Sequence, residues 1–137
     1  AAARLRLGAL LLYAFPGSPT VYYGDEAGMQ GYEDPLNRRT YPWGREDTEI
    51  LGHFRCLGKL RTQNIALRLG DIRFTVASDR HLAYTRSAQG QTLNIYVNRS
   101  GDAWDIPTGR VTFGKNIDTI SPDRLTLGPR GFCVMEA

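Results

Sequence analysis

A chain of 137 residues, 42% hydrophobic and 23% charged, is too apolar for a disordered protein and long enough for one domain, or for a small domain joined to part of another. The net charge is +3, yet the seventeen basic residues run from Arg4 to Arg130 with acids between them; without a phosphate-tracking stripe, no nucleic-acid partner is expected. Cys56 and Cys133, like His53 and His81, stand far apart, so both thiols are expected free and buried, and neither a metal nor another cofactor is expected.

Residues 4 to 15 are rich in Leu and Ala and apolar on nearly every face, which predicts a helix covered by other elements and stopped by Pro16. Arg4 and Arg6 followed by Leu7 to Phe15 imitate a secretory leader, but the Pro16-Gly17-Ser18-Pro19 segment offers no small-x-small cleavage site. The run is also far shorter than the roughly 20 residues that span a bilayer. No membrane partner is expected, and the location expected is cytoplasmic. The β-branched and aromatic run Thr20–Tyr23, between Pro19 and Gly24, predicts a short buried strand.

From Gly24 to Trp43 no period is sustained, and a long loop is expected; such loops are uncommon in compact proteins and often functional. Asp47 or Thr48 can cap a helix that reaches Arg61, because Ile50, Leu51, Phe54, Leu57 and Leu60 follow helical spacing. After Asn64 the pattern changes to short strands at Asp71–Ala77, His81–Ser87, Gln91–Asn98, Ala103–Ile106, Arg110–Phe113, Asn116–Ile120, Arg124–Leu127 and Gly131–Met135, with turn residues between them. This is the rhythm of an antiparallel sandwich. The change of pattern predicts a boundary, with residues 1–62 as one unit and 63–137 as another. One buried strand between two helices has no sheet to join, so residues 1–62 are expected to be the end of an α/β domain that begins upstream.

The string Phe15-Pro16-Gly17-Ser18-Pro19-Thr20-Val21-Tyr22-Tyr23-Gly24-Asp25-Glu26-Ala27-Gly28-Met29 closely resembles the eighth barrel strand and following loop of the α-amylase family of glycoside hydrolases. Its continuation, Asp34-Pro35-Leu36-Asn37-Arg38-Arg39 with Tyr41-Pro42-Trp43, is similar to the neopullulanase, cyclomaltodextrinase and maltogenic amylase branch. The resemblance implies an α+β fragment: the last helix, strand and helix of a (β/α)8 TIM barrel, followed by an antiparallel β-sandwich C-terminal domain.

Retaining glycosidases need a carboxylate nucleophile and a carboxylic acid roughly 5 Å apart across the scissile bond. Asp25 and Glu26 are adjacent, and neighbours on extended chain point to opposite sides. The family's catalytic residues lie on earlier strands, one of them in an Asn-His-Asp motif that is absent here, so no catalytic residue is assigned. Asp25 and Glu26 are instead expected to order the turn by accepting hydrogen bonds. The resemblance assigns Asp34 and Arg38 to sugar hydroxyls at outer donor-side subsites, the alternative being a surface ion pair worth little. Tyr23 or Tyr32 could line the cleft, since a pyranose offers an apolar face to an aromatic ring; Trp43 is expected to pack the loop against the following helix, and Trp104 and Phe132 to be core.

The function implied is the C-terminal part of a retaining enzyme acting on α-1,4-glucans or maltodextrins. A transglycosylating relative is a close alternative, and a non-catalytic β-sandwich module for carbohydrate binding or interaction is the rival from another class. As an isolated piece, the chain is expected to form oligomers through uncovered apolar surface.

Overall fold

The computed structural model describes residues 1–137, which form three helices, one 3-10 turn and six strands. Helix α1 spans Ala2–Ala14. It ends where expected, because Pro16 pushes Phe15 into an extended conformation with φ −84° and ψ 160°. Helix α2 spans Thr48–Gln63, and the Asp47 carboxylate caps it by accepting from the backbone N–H groups of Glu49 and Ile50, both at 3.1 Å. Ile50, Phe54, Leu57 and Leu60 make its buried stripe.

A third helix, α3 (Ile65–Leu69), forms between the predicted helix and the first predicted strand, where no element is expected. Its start is held by a side-chain relay. Asn64 donates to Leu60 O at 2.7 Å and accepts from the Gln91 amide at 2.8 Å, while Gln91 Oε1 accepts from the Ala66 N–H at 3.1 Å. Turn composition alone carries no sign of a helix whose second N–H is satisfied by a residue 25 positions away.

The strands are β1 (Asp71–Ala77), β2 (His81–Ala88), β3 (Gln91–Asn98), β4 (Trp104–Pro107), β5 (Arg110–Ile120) and β6 (Arg124–Glu136). All pair antiparallel, in the order β1-β2-β3-β6-β4, with β5 on β6. The tail thus holds two long strands where four short ones are expected, and the two sheets of a sandwich are here one sheet folded over. The fold lies at Gly128–Gly131. There Arg130 has φ +57°, and on β5 Asn116 has φ +54° and donates to Pro129 O at 3.2 Å. Before this bend β6 pairs with β4, after it with β3, and β5 follows it throughout.

Buried Asn98 holds the bend. Its amide donates to Asp102 O at 2.7 Å and Gly128 O at 2.9 Å, and its Oδ1 accepts from the Ser100 N–H and hydroxyl at 3.0 and 2.7 Å. Alternation along β6 then separates two cores. Phe132 and Val134 face the helices with Tyr84, Leu93, Ile95 and Val97, whereas Cys133 and Met135 face the folded-over part with Ile106, Leu125 and Leu127.

The expected strand Thr20–Tyr23 does not form; the segment runs as irregular chain into a turn. No second strand lies beside it, and a lone strand leaves its backbone groups without partners, so its β-forming residues do not decide the conformation. The helix, strand and helix of a barrel are therefore not seen as such, and α1, α2 and α3 pack on one face of the sheet. Cys133 is buried as expected, but Cys56 lies on the outward face of α2 and is exposed. No helix is long and apolar enough to cross a membrane.

The layers are joined at Arg86, which is only 1% exposed although it sits in mid-strand. On β2 it shares a face with Leu82 and Tyr84, opposite Leu93 in the register. Its guanidinium donates to four backbone carbonyls: Ala14 at 2.8 Å, Leu67 at 3.1 Å, Gly70 at 2.9 Å and Asp71 at 2.9 Å. A second tie crosses the surface, where Glu49 Oε1 on α2 accepts from Arg6 of α1 and from Lys115 of β5, both at 2.8 Å.

Two outcomes follow from these ties. Replacing Arg86 with Met should lower the unfolding free energy by roughly 3–5 kcal/mol, because four buried carbonyls lose their charged donor. Arg86→Lys should recover only part, since three donors on one nitrogen cannot span the fork; urea unfolding reads both. The Lys115 hydrogen bond and charge, with the charge of Arg6, hold the Glu49 carboxyl below its ordinary range. A depressed folded pKa gives stability that is present above the unfolded value and lost as pH falls through the folded one. The urea midpoint should therefore drop more steeply below about pH 4.3 for the natural chain than for Glu49→Gln. Equal slopes would mean that the tie carries nothing.

Candidate functional site

The segment Gly24–Met29 is ordered by its own backbone. Asp25 N–H donates to Tyr22 O at 2.9 Å, Ala27 N–H to Gly24 O at 2.9 Å and Met29 N–H to Gly24 O at 3.1 Å. The result is a 3-10 turn, Asp25–Ala27, with a glycine in the left-handed region at each end: Gly24 at φ +78° and Gly28 at φ +74°. A side chain at Gly24 would also run into Met29, so the spacing of these glycines follows from the turn. The expectation that Asp25 and Glu26 order the turn as acceptors does not hold. Neither side chain receives a hydrogen bond, and the buried Glu26 Oε2 has no partner. Burial, and behind it the neighbouring Glu26 charge, raises the Asp25 carboxyl above its ordinary range.

The chain from Gln30 to Arg45 lies at the surface, with only Asn37, Tyr41 and Pro42 partly covered. Asp34 and Arg38 meet there. Arg38 Nε lies 2.6 Å from Asp34 Oδ1 and Nη2 lies 3.1 Å from Oδ2, a two-point pair in which both side chains are more than half exposed. Asn37 ties the loop back by donating to the Tyr22 hydroxyl at 3.3 Å. Tyr23 is half exposed at φ +32°, with its ring edge-on to Tyr22 at 4.6 Å. The slot it lines with Asn37 and Gly31 is only about 30 Å³, far below the several hundred Å³ of a small-molecule site. The structure thus brings Asp34 and Arg38 together and leaves Tyr23 apart, joined to them through Tyr22 and Asn37.

Trp43 departs from expectation: it packs against no helix, is 81% exposed, and touches Tyr41 with ring centres 4.6 Å apart. An indole on a proline- and glycine-rich turn has no helix period to place it, so its apolar character alone misleads. Tyr32 is exposed as well, with the Arg39 guanidinium 5.9 Å from its ring centre. Phe132 is core as expected, whereas Trp104 is partly exposed and stacks on His81 at 4.3 Å.

Chemically the loop offers aromatic faces, guanidinium donors and one paired carboxylate, which suits a polyhydroxylated ligand better than an apolar one. No group of three or more His, Cys, Asp or Glu side chains stands ready to hold a metal.

No family model matches the chain. It is 35% identical over 136 residues to a cyclomaltodextrinase of Geobacillus thermopakistaniensis, covering 96% of this chain and 23% of that protein. It is 46% identical over 83 residues to an amylopullulanase of Thermoanaerobacter thermohydrosulfuricus, covering 61% of this chain and 6% of that one. The crystal structure of a debranching enzyme from Nostoc punctiforme superposes with a TM-score of 0.86 at 27% identity, covering 100% of this chain and 31% of that one. The chain thus spans less than a third of each of these proteins. With this agreement of sequence and fold, the chain belongs to the α-amylase family of glycoside hydrolases and matches a C-terminal part of its members. Its relatives there carry the names amylopullulanase, cyclomaltodextrinase, maltogenic α-amylase and neopullulanase.

The solvent-exposed Asp34–Arg38 pair should add little to folding. Arg38→Ala is expected to change the unfolding free energy by less than about 1 kcal/mol, read from urea unfolding. A larger loss would make the pair a clamp for the loop rather than a free surface.

Proposed function

We propose that the chain serves an α-amylase-family enzyme acting on α-1,4-glucans or maltodextrins by a retaining mechanism. In it, residues 1–62 complete the catalytic barrel, Asp34, Arg38 and Tyr23 form part of the wall that holds the donor side of the substrate, and residues 63–137 are the stabilising β-domain. The chain carries no catalytic carboxylate. The observation that carries the reading is the likeness to a cyclomaltodextrinase over 96% of the chain, which takes in the loop as well as the sheet.

The site supports the division of labour. Asp25 and Glu26 follow one another on a single 3-10 turn, so they do not flank a bond from opposite sides as a retaining pair must. In the barrel, Asp34 and Arg38 exchange their mutual bond for hydroxyls of a bound sugar, at little cost because exposed pairs are weak. The sheet contributes rigidity through Arg86 and Glu49, which tie it to the helices.

The chain alone should not hydrolyse starch, pullulan or cyclodextrin. In a chimera where it replaces the matching segment of the Geobacillus cyclomaltodextrinase, hydrolysis should persist. There Arg38→Ala should lower kcat/KM for long maltodextrins by about ten- to a hundredfold, the worth of one charge-assisted hydrogen bond, and spare maltotriose. Hydrolysis by the chain alone that disappears on changing Asp25 or Glu26 would overturn the reading, as would an Arg38→Ala chimera with unaltered length preference.

A further inference from the structure

We propose that Trp43 and Tyr41, with the cleft beside them, form a stacking site for a glucose ring of an α-glucan, additional to Asp34, Arg38 and Tyr23; the choice of sugar rests on the function proposed above. Trp43 is the most exposed of the large apolar side chains. A single exposed apolar residue needs no explanation, but this one is held out on a fixed turn. Trp43 N–H donates to Tyr41 O at 3.0 Å, Arg45 N–H donates to Pro42 O at 2.9 Å, and Gly44 between them takes φ +75°. Just beyond, Asp47 N–H donates to Ala27 O at 2.9 Å, and Asp47 caps α2. The backbone that carries the ring is therefore held by the body of the protein, with Tyr41 as the ring's neighbour, so binding need not order the main chain as well.

Tyr41 joins this ring to a cleft of about 420 Å³ whose other walls include Arg39, Thr40 and Arg45. The Arg45 guanidinium has no carboxylate partner, and Arg39 donates to Gln30 O. Flat aromatic faces next to forked N–H donors match a pyranose, which has an apolar CH face and a rim of hydroxyls. The groove between α1 and the sheet, lined by Arg4, Leu7, Leu11, Leu82 and Val97, has cations but no aromatic face and a mostly aliphatic floor, so it does not suit a sugar.

Trp104→Phe leaves Trp43 as the sole tryptophan, so titrating that variant with maltoheptaose reads the site by fluorescence. A saturable change is expected, with Arg45→Ala on the same background raising the apparent Kd about tenfold, the usual scale for truncating a contact that matters. Calorimetry on Trp43→Ala should show a loss of at least that size. No saturable change, or a change that follows chain concentration instead of sugar, would overturn the site and give Trp43 to a protein contact. The two readings fail separately. An inactive chimera with an intact maltoheptaose response sinks only the proposed function, and an active chimera sensitive to Arg38→Ala beside a silent Trp43 sinks only this site.

Discussion

The structure depends on one buried guanidinium. Arg86 meets no carboxylate in the interior, only carbonyl dipoles, and these come from the end of α1, the end of α3, the linking Gly70 and the start of β1. Helix C-termini carry partial negative charge on unpaired carbonyls, so a cation there answers donors and field together. Burial lowers the Arg86 pKa, yet an arginine stays charged. The interior must keep these carbonyls aimed at it, and that requirement fixes where the helical layer sits on the sheet.

The apolar packing accepts this constraint. Leu7, Leu10 and Ala14 of α1 and Phe54 and Leu57 of α2 close over Leu93, Ile95, Val97, Phe132 and Val134 in one continuous core. The Tyr84 hydroxyl is buried in the same core without a partner, and burial raises its pKa well above the ordinary phenol value. The core thus tolerates one unsatisfied hydroxyl beside an arginine whose three nitrogens are all hydrogen-bonded, a contrast that shows which of the two polar groups organises the interior.

Elements governed by local rules were legible in the sequence. The cap at Asp47 and the spacing from Ile50 to Leu60 place α2, and alternation with turn residues places β1 to β3, because short-range sterics and one buried face are enough. Elements governed by distant partners were not. The β-prone Thr20–Tyr23 has no strand beside it, α3 depends on Gln91, and β5 and β6 stay continuous through bends held by Asn98 and Asn116. Arg86 could have been found, since it shares the inward parity of Leu82 and Tyr84; a charge on that face signals a buried polar hub. Of the site, the Asp34–Arg38 pair was legible only as the alternative to sugar contact, and it is a turn, not a helix, that brings the two together; the exposure of Trp43 likewise depends on a turn that composition does not resolve.

Strand β6 is hydrogen-bonded to β3, β4 and β5, and it is the last of the six strands in the sequence. During synthesis, β3, β4 and β5 therefore emerge before the only strand that can join them, and neither β4 nor β5 has another partner. Until β6 leaves the ribosome, their edges are open and both cores lack the side chains that separate them. Such edges invite wrong pairing between nascent chains. The exposure of this sheet to misfolding is thus concentrated in the interval between the emergence of β5 and that of β6, and a pause in translation that falls within it prolongs the time those edges stay open.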